Sequence, residues 1–133
     1  MVKGDICNMP FEENSFDFIL CNHVLEHIID DTKAMKELFR VLNLNGTAIV
    51  QVPINQNSKK TFEDNSITDK KERIVKFGQY DHVRIYGLDF FNNLKSVGFN
   101  VNPIKYSKTF SDDEINKFGL IKEEIIPVCK KLS

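Results

Sequence analysis

No Gly-x-Gly turn occurs in these 133 residues, and Gly4 is the only glycine before Gly46. A backbone that must pass within van der Waals reach of a ligand needs such glycines, so this chain lacks the usual means of cradling a nucleotide-like group by itself. Charge of one sign is also lacking. Eighteen Lys and Arg against 19 Asp and Glu leave a formal net charge of -1, too little to draw in nucleic acid or an anionic lipid surface. Cysteine is sparse: Cys7, Cys21 and Cys129 are odd in number, far apart and without metal-ligand spacing. Neither a disulfide framework nor a zinc or other metal site is expected, and reduced thiols fit a cytoplasmic protein. No apolar run approaches the ~20 residues of a membrane span, and Met1-Val2-Lys3-Gly4-Asp5 has no basic stretch leading into an apolar one.

What is present is an ordinary globular composition, with 41% hydrophobic and 28% charged residues, enough for one domain over 1–133. Ser15 to Cys21, SFDFILC, is a short apolar run of the kind buried on both faces of a parallel sheet. Asp30-Asp31-Thr32 offers capping oxygens, and Ala34, Met35, Leu38, Phe39, Val41 and Leu42 then recur at helical spacing. Asn43-Leu44-Asn45-Gly46 reads as the stop, with a left-handed residue ending the helix, and TAIVQVPI as a second buried strand closed by Pro53. Strand, helix and strand in under forty residues make a right-handed βαβ crossover, and hence an α/β fold.

Beyond it lies a polar insertion at about 55–84 with a short helix around Asp69 to Phe77. A helix over Leu88 to Leu94 ending at Val97-Gly98 follows, then a strand from Phe99 to Tyr106. Ser111-Asp112-Asp113-Glu114 resembles a capped helix start. The run Glu124 to Cys129 is expected as a final strand at a sheet edge, where Pro127 is tolerated.

Gly4-Asp5-Ile6-Cys7-Asn8-Met9-Pro10-Phe11, then Asn14-Ser15-Phe16-Asp17, Val24-Leu25-Glu26-His27, and Phe39-Arg40-Val41-Leu42 with Gly46 together resemble the type 11 group of class I S-adenosylmethionine-dependent methyltransferases. The resemblance is close from Gly4 to Ile54 and weaker over Asp81 to Phe99. Asn43-Leu44-Asn45-Gly46 departs from the family's Lys-Pro-Gly-Gly. It implies a partial Rossmann-like methyltransferase fold, a mainly parallel sheet with flanking helices and an antiparallel last strand. It also implies S-adenosylmethionine as cofactor and a small-molecule methyl acceptor.

By that resemblance Asp5 accepts from the adenine amine and Ile6 packs on the ring, while Cys21, Asn22 and His23 line the methionine end at the carboxyl end of a strand. Leu25 and His27 face the acceptor, with His27 orienting it or taking its proton. His82, Arg84 and Tyr86 stand on the acceptor side within Tyr80-Asp81-His82-Val83-Arg84-Ile85-Tyr86. Plainer readings stand beside these: Asp5 capping a turn with Asn8, Glu26 and His27 as a satisfied polar pair, and Asp81 paired with Arg84 to anchor a loop. The glycine-rich turn and central strands that the family places before this region are absent. The expectation is therefore an exposed sheet edge covered by a second copy or a partner chain. The alternative function is a methyltransferase-like module without catalysis, acting through such association.

Overall fold

In the segment 31–41 the apolar positions Ala34, Met35, Leu38 and Val41 fall on one stripe, and all four are buried. The helix they build, α1 (Asp31–Val41), begins where the Asp30 carboxylate accepts from the Lys33 N–H at 3.0 Å. A computed structural model describes residues 1–132 of the protein. Around α1 it places strands β1 (Phe16–Asn22), β2 (Leu42–Gln51), β3 (Phe62–Glu63), β4 (Arg84–Ile85), β5 (Asn100–Ile104) and β6 (Ile126–Lys130). Helices α2 (Lys70–Phe77), α3 (Phe90–Ser96) and α4 (Asp112–Phe118) lie between them, with one-turn 3₁₀ segments at Leu25–His27 and Tyr106–Thr109.

The main sheet has the order β1-β2-β6-β5. β1 is parallel to β2, and β6 is antiparallel to both of its neighbours. Three strands thus share one direction and only the last opposes them, the α/β arrangement expected from the sequence. The position of that last strand differs from expectation. β6 lies inside the sheet, not at its edge, and Pro127 is tolerated because the β2 ladder ends at Val128 while on the other side Pro127 faces Pro103.

A second difference is at the end of α1. Leu42 is already extended, is wholly buried and stands opposite Phe16, so burial pulls strand geometry back to the first residue after the helix. The excess residues before Thr47, which opposes Phe18, form a bulge at left-handed Asn45 (φ 61°), whose N–H donates to the Lys131 carbonyl at 2.7 Å. The helix starting after Ser111 has the expected capping box with Glu114.

One face of the sheet carries the core. Cys21, Leu42, Ala48, Val50 and Cys129 meet Ala34, Met35 and Leu38 of α1 and Phe90 and Leu94 of α3. The other face carries Phe18 and Leu20 of β1, which are 56% and 63% exposed, so β1 is buried on one face and not on both as its apolar run suggested, and among the described residues no strand lies beside its outer edge.

The polar insertion is folded back on this core. β3 and β4 pair antiparallel, setting Glu63 opposite Arg84. Beside them Gly87 permits a close backbone crossing, since a Cβ there would sit 2.5 Å from the Lys60 carbonyl oxygen. Arg84 is 1% exposed. Its Nη1 donates to the Leu25 carbonyl at 2.7 Å and also to that of Ile28, its Nη2 donates to the Ile29 carbonyl at 2.9 Å, and Nε and Nη2 reach Glu63. The Asp31 carboxylate lies 3.7 Å from Nε and accepts from the Tyr86 hydroxyl at 2.6 Å.

Removing this guanidinium takes a donor from three carbonyls and from the Glu63 carboxylate, so Arg84→Met is expected to cost about 3–5 kcal/mol in urea unfolding. Arg84→Lys should recover little of it, because an ammonium cannot span the fork. A variant with an unchanged midpoint would show that the cluster contributes no stability.

Burial pushes the thiols of Cys21 and Cys129 up to about 12. Burial and the bond to Asp31 push the Tyr86 phenol up as well. The folded chain keeps these protons where the unfolded chain, with thiols near ~8.5, releases them. Stability should therefore be intact below about pH 8 and fall as the pH rises toward 12, seen as a lower urea midpoint at about pH 10 than at about pH 7.5. In the same range both thiols should react with a disulfide reagent only after denaturant is added.

Candidate functional site

The loop before β1 is held by the far end of α1. Arg40 donates from Nη1 to the Phe11 carbonyl at 2.8 Å and from Nη2 to the Met9 carbonyl at 3.1 Å, while Glu37 accepts from the Met9 N–H at 2.8 Å. Arg40 Nε closes the pair on Glu37 at 2.7 Å, and this bond holds the Glu37 carboxyl below the usual carboxylate range. Two pieces of sequence that look independent, Met9-Pro10-Phe11 and Phe39-Arg40-Val41-Leu42, are thus one structural unit.

That unit presents Asp5 and Ile6. The Asp5 carboxylate accepts from the Cys7 N–H at 2.8 Å, and its carbonyl accepts from the Asn8 N–H at 2.9 Å. Asp5 therefore caps the turn with Asn8, the plainer of the two sequence readings. It also lines, with Gly4, Ile6, Met9 and Pro10, a shallow depression of about 220 Å³.

At the carboxyl end of β1 the chain turns sharply through His23, whose φ is 53°. Cys21 points into the core and Leu25 is wholly buried there, whereas Asn22 and His23 are exposed. Next comes the turn that carries Glu26 and His27. Glu26 is 2% exposed. Its Oε1 lies 3.5 Å from His23 Nδ1 and 3.8 Å from His27 Nε2, and its Oε2 is buried with no hydrogen-bond partner.

His27 Nδ1 is 3.2 Å from the Asp81 carbonyl and 3.3 Å from the Asp81 carboxylate. The His82 ring stands edge-on to the His27 ring, with centroids 4.7 Å apart. The Val83 N–H donates to the Glu26 carbonyl at 2.9 Å and fixes the two loops against each other. Glu26 and His82 line a cavity of about 330 Å³ with Pro53, Ile54, Asn55 and Phe77. A second cavity of about 290 Å³, reached past His23, shares Pro53 and Ile54. Both open beyond the carboxyl ends of β1 and β2, where open α/β sheets bind ligands.

The structure therefore brings His27 and His82 together and adds Glu26 to them. Asp5 and Ile6 lie in a separate depression. Arg84 and Tyr86 are placed otherwise than the acceptor-side reading has it: Tyr86 is buried in the core, and Arg84, although it lines the cavity, spends its donors on Leu25, Ile28, Ile29 and Glu63. Asp81 pairs with His27 and Gln79 instead of Arg84. The partners of Arg84, Glu63 and Asp31, carry no sequence signal, because each lies more than 20 positions away in an unremarkable polar stretch. The orphaned oxygen of Glu26 is equally invisible before folding.

Residues 1–50 match the family model described as a methyltransferase domain. An uncharacterised protein of Methanocaldococcus jannaschii is 38% identical over 105 residues, covering 77% of this chain and 45% of that protein. The demethylmenaquinone methyltransferase of Staphylococcus epidermidis is 39% identical over 49 residues, covering 37% of this chain and 20% of that protein. The chain spans less than half the length of these relatives.

Among solved structures, the Burkholderia thailandensis 1,6-didemethyltoxoflavin-N1-methyltransferase superposes with a TM-score of 0.60 at 14% identity, covering 99% of this chain and 50% of that one. An S-adenosylmethionine-dependent methyltransferase from Mesorhizobium loti superposes with a TM-score of 0.59 at 13% identity, covering 95% and 65%. At such identities the superposition speaks to the fold. With the clamped loop before β1 and the strand order already described, the chain resembles the class I S-adenosylmethionine-dependent methyltransferases, type 11 group, by sequence over residues 1–50, and shares their fold over nearly its whole length.

Proposed function

We propose that this chain is the carboxy-terminal portion of a cytoplasmic methyltransferase that moves the sulfonium methyl of S-adenosylmethionine to a small-molecule acceptor, the rest of the cofactor pocket being contributed by another segment or chain. The observation that carries this reading is the Asp5-Ile6 turn, held by Arg40 and Glu37 inside the stretch that matches the family model. On this reading Asp5 accepts from the adenine amine, Ile6 covers the ring, and Asn22 and His23, with the backbone at Cys21, face the methionine end. Leu25 packs beneath the turn that presents Glu26, His27 and His82 to the acceptor. Arg84 and Tyr86 hold that turn in place. Positioning of donor and acceptor supplies most of the rate in such a displacement.

Isothermal titration of the protein with S-adenosylhomocysteine should detect binding. Asp5→Ala is expected to weaken it about 10–100-fold, the loss of one hydrogen bond to a charged acceptor. Asp5→Asn, which still offers an acceptor to both the turn and the amine, should lose less. No measurable heat from the wild type would favour the alternative, a methyltransferase-like module that acts by association without catalysis.

That alternative is favoured by one specific feature, the unpaired edge of β1 with Phe18 and Leu20 exposed beside it. A second copy or a partner chain would cover both. Light scattering coupled to size-exclusion chromatography is expected to show a self-associated species that Leu20→Lys reduces to monomer. A wild-type monomer at high concentration would refute self-association through this edge.

A further inference from the structure

Glu26, His27 and His82 converge although the two histidines lie 55 positions apart, and their donor atoms lie within 4.8 Å of one another. We infer that these three side chains form a binding site for a divalent first-row transition cation, zinc being the best fit. The inference is independent of whether the chain transfers methyl groups.

The donor set is two imidazole nitrogens and one carboxylate oxygen, which suits zinc and its neighbours; magnesium and calcium prefer oxygen alone. Bonds of ~2.0–2.2 Å around such an ion put neighbouring donors about 3.3–3.5 Å apart. The separation of His27 Nε2 and Glu26 Oε1, 3.8 Å, is close to that already. His82, the third donor, lies within 4.8 Å of the other two and is partly exposed in a loop.

Two further observations point to a ligand. The first is the buried Glu26 carboxylate, whose Oε2 has no donor in a region where an unpaired charge costs several kcal/mol; a cation would remove that cost. The second is the orientation of His27. Its Nδ1 faces the Asp81 carbonyl at 3.2 Å and its Nε2 faces Glu26 Oε1 at 3.8 Å, so with the proton on Nδ1 the ring donates to Asp81 and offers Nε2 as a ligand. A metal-binding histidine is held by this same kind of outer hydrogen bond. The backbone bond from Val83 to Glu26 sets the distance between the two ligand loops before any ion arrives. Three protein donors beside a cavity leave a fourth position for water or an acceptor oxygen, the mark of an open site and not a structural one.

The test is a competition titration of the chelator-stripped 133-residue protein with zinc against a chromophoric chelator, alongside cobalt(II) substitution followed by visible absorption. One zinc per chain at micromolar affinity or tighter is expected, with cobalt d–d bands of four- or five-coordinate intensity. Glu26→Gln, His27→Ala and His82→Ala should each weaken zinc at least tenfold. His23→Ala, which removes a neighbour of Glu26 Oε1 but none of the three donors, should weaken zinc less than the loss of any one ligand. Circular dichroism of His82→Ala at an unchanged melting temperature separates loss of a ligand from loss of fold. Zinc binding that survives His82→Ala, binding weakened more by His23→Ala than by any of the three ligand variants, or a cobalt spectrum of the hexaaquo type would overturn the assignment.

Discussion

A guanidinium removed from water has to be surrounded by acceptors, and the way Arg84 meets that demand organises the functional half of this molecule. Three of its acceptors are carbonyls at Leu25, Ile28 and Ile29, in the turn after β1 and the approach to α1, where chain direction reverses. A fourth acceptor, Glu63, belongs to the insertion. One side chain therefore satisfies an otherwise costly bend, fastens β3 to β4, and holds the turn bearing Glu26 and His27 against the loop bearing Asp81 and His82. Tyr86, bonded to Asp31 and stacked near Phe90, extends the same anchor into the core.

The sheet is asymmetric in a way that follows from which strands it contains. Its α1 and α3 face is filled by small and medium apolar side chains, and the alternation along β1 sends Ile19 and Cys21 there. The same alternation sends Phe18 and Leu20 to the opposite face, where nothing comparable covers them. Alternation is indifferent to whether a second layer exists; it exposes apolar residues wherever the layer is missing. The relatives are longer than this chain, and the uncovered edge of β1 is where a continuing parallel sheet would add its next strand.

Around the site the chemistry is divided between two places. The Asp5 turn hangs from Arg40 and Glu37 at the carboxyl end of α1, while the histidine cluster hangs from Arg84 near its amino end. One helix thus sets the separation between the part of the molecule that resembles an adenine site and the part that faces the two cavities. Each is held by an arginine that donates to backbone carbonyls, a rigid planar fork suited to fixing loops that have no ladder of their own.

Much of this was legible in residue order alone. The βαβ unit followed from the apolar run from Ser15 to Cys21, the helical stripe from Ala34 to Leu42 and the capping oxygens of Asp30-Asp31-Thr32, because these are local signals that burial on one face reinforces. The capping box at Ser111 and the glycine after Val97 were local too, and so was the family resemblance carried by Gly4 to Ile54. What only the tertiary structure decided was set by contacts far apart in sequence. Strand order put β6 and its Pro127 inside the sheet, since whether a strand is an edge depends on its neighbours and not on its own composition. Arg84 is an anchor as well as a cavity-lining residue because carbonyls some 55 positions away in sequence take its donors. His27, His82 and Glu26 became one cluster for the same reason: side-chain chemistry is written in the sequence, but which groups share a dielectric environment is settled by the packing that brings them together.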